Sequence, residues 1–152
     1  MDKGQNKESR DGLFPELDEI TNEVFLGNED GQRDLNVLKN LGITNVLVCG
    51  SELRIFHPND LSYLQLEMNG APDEDLKKYI PNCFEFIEKS EKTFIHCAGG
   101  KSRSASIVIG YLMYKKKISY EEAYNLVKEK RKKINPNENF VKQLKNMEKD
   151  FL

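Results

Sequence analysis

Apolar residues recur along this chain at two periods, and the alternation between them predicts the order of elements. Val24-Phe25-Leu26 is a short strand. Asp34 to Leu41 reads as a helix with Leu35, Leu38 and Leu41 on one face, stopped by Gly42. Asn45-Val46-Leu47-Val48-Cys49 is a continuous apolar run, the pattern of a parallel strand buried on both faces. Tyr63 to Leu66 is a further strand. Pro72-Asp73 opens a long helix with Asp73 as its N-cap, and Leu76, Ile80, Cys83 and Ile87 share one face of it. Thr93 to His96 is a central strand, followed by a helix from Ser102 to Tyr114 so rich in Ile, Val, Leu and Met that it belongs in the core. Ser119 and Glu122 form a capping box. Asn137 caps a last helix whose stripe is Phe140, Leu144, Met147 and Phe151. Strands alternating with helices predict an α/β fold: a mainly parallel sheet of about five strands flanked by helices. In such a sheet the functional site lies at the carboxyl ends of the strands.

The carboxyl end of the central strand carries His96-Cys97-Ala98-Gly99-Gly100-Lys101-Ser102-Arg103-Ser104. A thiol and a guanidinium lie six positions apart, with two glycines between them, at a strand-to-helix junction. A tight loop there can turn successive backbone N–H groups, from Ala98 to Arg103, toward one anion. Arg103 can grip two oxygens of the same anion with its planar fork. A free thiol, with a pKa of about 8.5, is mostly protonated at neutral pH; this setting favours the thiolate and makes Cys97 a nucleophile. Ser104 is placed to hydrogen-bond the sulfur. Lys101 is read as facing outward from the loop.

This run resembles the signature of the cysteine-dependent protein tyrosine phosphatases, and more narrowly of the compact dual-specificity phosphatases. That branch reads His-Cys-x-x-Gly-x-x-Arg-Ser, matched from His96 to Ser104. Glu23-Val24-Phe25-Leu26-Gly27, Leu41 to Leu47, Tyr111-Leu112-Met113 and Ile134-Asn135-Pro136-Asn137 resemble other segments of the family. The resemblance implies a catalytic domain over residues 17–152 after a flexible acidic and polar tail over 1–16. It implies a phosphocysteine intermediate on Cys97, phosphate binding by Arg103 and the 98–103 backbone, and help from Ser104 in breaking that intermediate down. It also implies loop-ordering hydrogen bonds from His96 and Asn137, and a phosphorylated protein as substrate: phosphotyrosine, with phosphoserine and phosphothreonine open.

One position departs from the family. Its proton donor is an Asp five residues ahead of an Asp/Asn-Leu pair; here that pair is Asp75-Leu76, and the position is Gly70. Three explanations stand side by side. Asp73, or next Glu67, supplies the proton through a differently shaped loop. Alternatively the enzyme works without a general acid, and slowly. In the third, position 70 has been substituted or the domain is a pseudophosphatase that binds phosphoproteins with little turnover. A lipid or RNA-end phosphatase is a further reading to which the single Lys101 lends little.

Composition narrows the rest. At 152 residues, 38% of them hydrophobic and 32% charged, the chain suits one globular domain. No apolar stretch approaches the ~20 residues of a membrane span. Three cysteines without paired spacing point to a reducing cytosolic or nuclear setting, with Cys49 and Cys83 as core residues. His57 and His96 are the only histidines, so no Cys/His cluster suits zinc, and no metal or cofactor is expected. The net charge of −2 hides a basic region, Lys115–Lys117 and Lys128–Lys133, read as a solvated helix face. No aromatic-interleaved basic motif supports nucleic-acid binding. A monomer is expected.

Overall fold

The computed structural model describes residues 16–152, so the tail assigned to 1–16 falls, but for Glu16, outside the described residues. Five strands form one sheet: β1 (Leu17–Glu19), β2 (Val24–Asn28), β3 (Asn45–Cys49), β4 (Ser62–Leu66) and β5 (Thr93–Cys97). Their order is β1-β2-β5-β3-β4, with β1 antiparallel to β2 and every other pair parallel. β5 is the middle strand and all five of its residues are buried. Its apolar run is what a strand covered on both faces requires.

Five helices flank the sheet among the described residues: α1 (Leu35–Asn40), α2 (Ile80–Glu88), α3 (Arg103–Lys116), α4 (Tyr120–Lys130) and α5 (Glu138–Phe151). α3 follows β5 directly and is buried from Ser104 to Met113. Its residues pack against the sheet on one side and against α4 and α5 on others, so it has no polar face to give to water. The capping signals hold at three helices: Asp34 caps α1, Ser119 and Glu122 close a capping box on α4, and the Asn137 side chain accepts the Phe140 N–H at 2.8 Å. Gly42 ends α1 with φ at +84°, a conformation open to glycine. Cys49 and Cys83 are both buried and free, as core residues.

The structure corrects the sequence reading ahead of α2. Asp73 does not cap a helix; it is exposed on a turn. The cap is Asp75, whose carboxylate accepts the Lys77 N–H at 3.1 Å and starts a 3-10 turn over Leu76–Lys78, with α2 beginning at Ile80. The reason is Glu74. Its carboxylate turns back to accept the N–H groups of Asn69 (3.0 Å) and Gly70 (3.1 Å), closing residues 69–74 into a loop before the helix can start. Tyr79 Oη donates to the same carboxylate at 3.0 Å. Leu76, Ile80, Cys83 and Ile87 are nonetheless all buried, as their spacing predicts. β1 and a 3-10 turn over Glu29–Gln32 escape periodicity because each is too short for a pattern to repeat.

Candidate active site

Cys97 ends β5 and Arg103 opens α3; the five residues between them curl around a single point. The curl is held from outside by its carbonyl groups. Arg131 donates through Nε to Gly100 C=O at 2.9 Å and through a terminal nitrogen to Gly99 C=O at 3.4 Å. The Asn135 N–H reaches Lys101 C=O at 2.7 Å, and His96 Nδ1 lies 3.3 Å from Cys97 C=O. In a trans peptide the C=O and the next N–H point in opposite directions. Carbonyl groups tied outward therefore turn the N–H groups of Ala98, Gly100, Lys101 and Ser102 inward, making a cradle for an anion. Gly100 adopts φ of +67°, and a Cβ there would fall 2.6 Å from the Gly27 backbone, so glycine is required.

The sulfur lies within this curl. Gly100 N–H donates to Cys97 Sγ at 3.3 Å, and Ser104 Oγ lies 3.1 Å from it. Burial pushes the thiol pKa up, but the Ser104 hydroxyl, the Ser104 and Gly100 N–H groups and the Arg103 charge together outweigh it. The Cys97 pKa falls below that of an ordinary thiol. The other two cysteines go the opposite way: burial raises Cys49 well above its usual value and Cys83 to about 12. The chain thus sets one thiol apart from the other two.

Arg103 extends its guanidinium to Glu52. Its two terminal nitrogens meet the Glu52 carboxylate at 3.1 and 2.8 Å, and one also donates to Met68 C=O at 3.3 Å. Gly70 lies alongside with φ of +78°; a Cβ there would be 3.7 Å from Arg103 Nε. Position 70 therefore borders the Arg103 guanidinium and presents no side chain to it. Asp73 and Glu67 lie exposed on the same loop.

Of the other expected site residues, Lys101 is exposed and Ser102 accepts the Asn137 N–H on its Oγ at 3.0 Å. Asn137 thus caps α5 and ties it to the loop. His96 is fully buried, and burial drops its pKa to about 4, leaving a neutral imidazole. Four residues of the site were not read from sequence: Gln32, Glu52, Arg131 and Asp18. Arg131 sits in the basic run read as a solvated face, yet it is 1% exposed and paired with Asp18 Oδ2 at 2.8 Å. The signal was its place in that run, after the last turn of α4 where the chain turns inward; charge alone hid it.

A strand-loop-helix that sets a thiol of lowered pKa among inward N–H groups and a guanidinium defines a cysteine hydrolase of phosphate esters. The dual specificity phosphatase catalytic-domain family matches residues 24–150, and the chain belongs to that family. Dual specificity protein phosphatase 1 of Arabidopsis thaliana is 35% identical over 146 residues, covering 93% of this chain and 73% of its own length. Dual specificity protein phosphatase 19 of Mus musculus is 33% identical over 126 residues, covering 80% of this chain and 57% of its own length. The crystal structure of human tyrosine phosphatase-like serine/threonine/tyrosine-interacting protein superposes with a TM-score of 0.84 at 32% identity, over 90% of this chain and 97% of that one. Family and fold bring cysteine-dependent protein phosphatase chemistry, and the binding-only reading is not favoured. No helix among the described residues is long and apolar enough to cross a membrane.

Proposed function

We propose that this chain hydrolyses phosphate monoesters on proteins, phosphotyrosine above all, through a phosphocysteine on Cys97. The observation that carries the reading is the Cys97 sulfur, 3.3 Å from the Gly100 N–H and 3.1 Å from Ser104 Oγ, with Arg103 beside it. The thiolate attacks phosphorus, an S–P bond forms and the ester P–O bond breaks. Arg103 and the N–H groups from Ala98 to Arg103 stabilise the charge that builds on the equatorial oxygens. His96 and Asn137 hold the loop in shape through the contacts described above.

Asp73 protonates the departing oxygen; Glu74 and Asp75 spend their carboxylates on backbone N–H groups. It acts from three residues beyond the position that faces Arg103, so the reaction leans on the leaving group's own acidity. In the second half, water attacks the phosphocysteine, Asp73 takes up a proton, and the Ser104 hydroxyl supports the sulfur as it leaves with its electron pair. Nucleophile, cradle and proton donor are all protein groups, so this sequence of steps draws on no metal or organic cofactor. Its setting is a reducing compartment, cytosolic or nuclear, that keeps the thiol free.

The experiment is steady-state hydrolysis of p-nitrophenyl phosphate between pH 5 and 8 by this protein and by Cys97→Ser. Turnover that vanishes in the variant is the expected result. Activity that survives the substitution would sink the mechanism.

A further inference from the structure

Gln32 ends the 3-10 turn Glu29–Gln32 and is fully buried. Its side-chain amide uses all of its hydrogen-bonding capacity. Oε1 accepts from the Phe56 N–H at 3.1 Å and from Tyr63 Oη at 2.7 Å. Nε2 donates to Arg54 C=O at 2.8 Å and lies 2.8 Å from His96 Nε2. The Phe56 N–H can only donate and the Arg54 C=O can only accept, so the amide cannot be flipped. Its second N–H therefore points at His96 Nε2, which must offer a lone pair.

A histidine whose Nε2 accepts carries its single proton on Nδ1. That proton faces Cys97 C=O, 3.3 Å away. The imidazole is clamped by stacking on Phe94, with ring centroids 5.2 Å apart. The Cys97–Ala98 peptide then has one orientation: C=O toward His96, and the Ala98 N–H into the cradle.

We propose that Gln32 is a positioning residue for catalysis, selecting the Nδ1–H tautomer of His96 and thereby aiming the first N–H of the phosphate cradle. Gln32 touches neither the sulfur nor the cradle. It acts only through His96, and Tyr63 and the 54–56 backbone keep it in place. The kinetic arm of this inference rests on the phosphatase reading; the tautomer arm does not.

His57 gives an internal reference. Its Nε2 lies 2.6 Å from Gln32 C=O, an atom that can only accept, so a neutral His57 carries its proton on Nε2. The two histidines of the chain should therefore be opposite tautomers. Two-bond ¹⁵N–¹H correlation spectra of the wild-type protein at pH 7 read this directly, with His57→Asn identifying the resonances. Expected are one Nε2–H pattern from His57 and one Nδ1–H pattern from His96. A His96 that carries its proton on Nε2 overturns the proposal.

Gln32→Met, close in volume but unable to donate, should leave His96 a mixture of tautomers. Inorganic phosphate should then inhibit about tenfold more weakly, and kcat should fall by up to ~10²-fold, the scale of a small misplacement at a reacting centre. A milder loss is expected in Tyr63→Phe, which keeps the core apolar if Gln32→Met does not fold. Unchanged His96 tautomer and unchanged phosphate inhibition in a folded variant would reduce Gln32 to a structural residue and end the proposal. If the tautomers are as stated and the wild type turns over no phosphate ester, the functional reading fails while the positioning stands.

Discussion

Glu52 holds both terminal nitrogens of Arg103, at 3.1 and 2.8 Å, the two groups a bound phosphate would need. The hydrogen bond from Arg103 lowers the Glu52 pKa, so the carboxylate is charged throughout the working pH range. It steadies the guanidinium and at the same time repels a dianion. Glu52→Gln keeps an acceptor for one N–H and removes the charge. Because Glu52 is half-exposed, the effect is modest: the inhibition constant for inorganic phosphate should fall two- to fivefold, within the ~1 kcal/mol of an exposed ion pair. Weaker phosphate binding in this variant would show that orientation outweighs repulsion.

Thiol chemistry should single out Cys97. Its lowered pKa makes it a thiolate at pH values where Cys49 and Cys83, both raised by burial, remain protonated. Limiting iodoacetamide at pH 6.5 is expected to modify one residue of the native protein, and inorganic phosphate should slow that reaction. Equal labelling of all three under native conditions would contradict the assignment of the hydrogen bonds around the sulfur.

The leaving group should govern the rate. Tyrosine, with a pKa of about 10, departs far more readily than a serine alkoxide when proton donation is weak. Aryl phosphates graded in phenol pKa are expected to give a steep fall in kcat, and phosphoserine peptides to react slowest. Asp73→Asn should steepen that slope. Gly70→Asp puts a carboxylate beside Arg103 at the cost of a positive φ, which Asp tolerates better than most residues. It should raise kcat on poor leaving groups by tenfold or more, within the 10²–10⁴ range of general acid catalysis. A wild-type rate indifferent to phenol pKa would show that a competent donor is already at work.

His96 should make the fold acid-sensitive. Burial sets its folded pKa at about 4, below the ordinary value of about 6.5. As pH falls, the unfolded chain takes up the proton first. Stability is therefore intact above about 6.5 and is lost on the way down to about 4, by on the order of 3 kcal/mol. Urea midpoints at pH 7 and pH 5 measure this, and the difference between them should shrink in His96→Asn.

Much of this was legible in the residues. The apolar blocks marked four of the five strands: β2, β3 and β5 because strands inside the sheet are buried along their length, and the edge strand β4 by its shorter Tyr63–Leu66 run. Cys97, Arg103, the glycines and Ser104 are local in sequence, so spacing alone joined them. What stayed hidden is what the fold brings together from afar. Gln32 meets His96 across 64 positions and Arg103 meets Glu52 across 51. Neither pairing leaves a periodic trace, and polar residues that end up buried look in sequence like polar residues on a surface. The loop at 69–74 misled for a local reason: Glu74 folds back onto its own backbone, and Asp75, not Asp73, starts the next turn.

The ion pair between Asp18 and Arg131 joins residues 113 positions apart, and it places part of the cradle's support outside the span that the family match covers. The family match begins at residue 24, beyond β1. A protein trimmed to that boundary would keep every residue that touches phosphate. It would still lack the Asp18 carboxylate that meets the buried Arg131 at 2.8 Å, and so lose part of what steadies the group holding the Gly99 and Gly100 carbonyls. The functional unit of this phosphatase therefore starts earlier than its catalytic signature suggests: the three-residue strand at its edge is the far anchor of its active site.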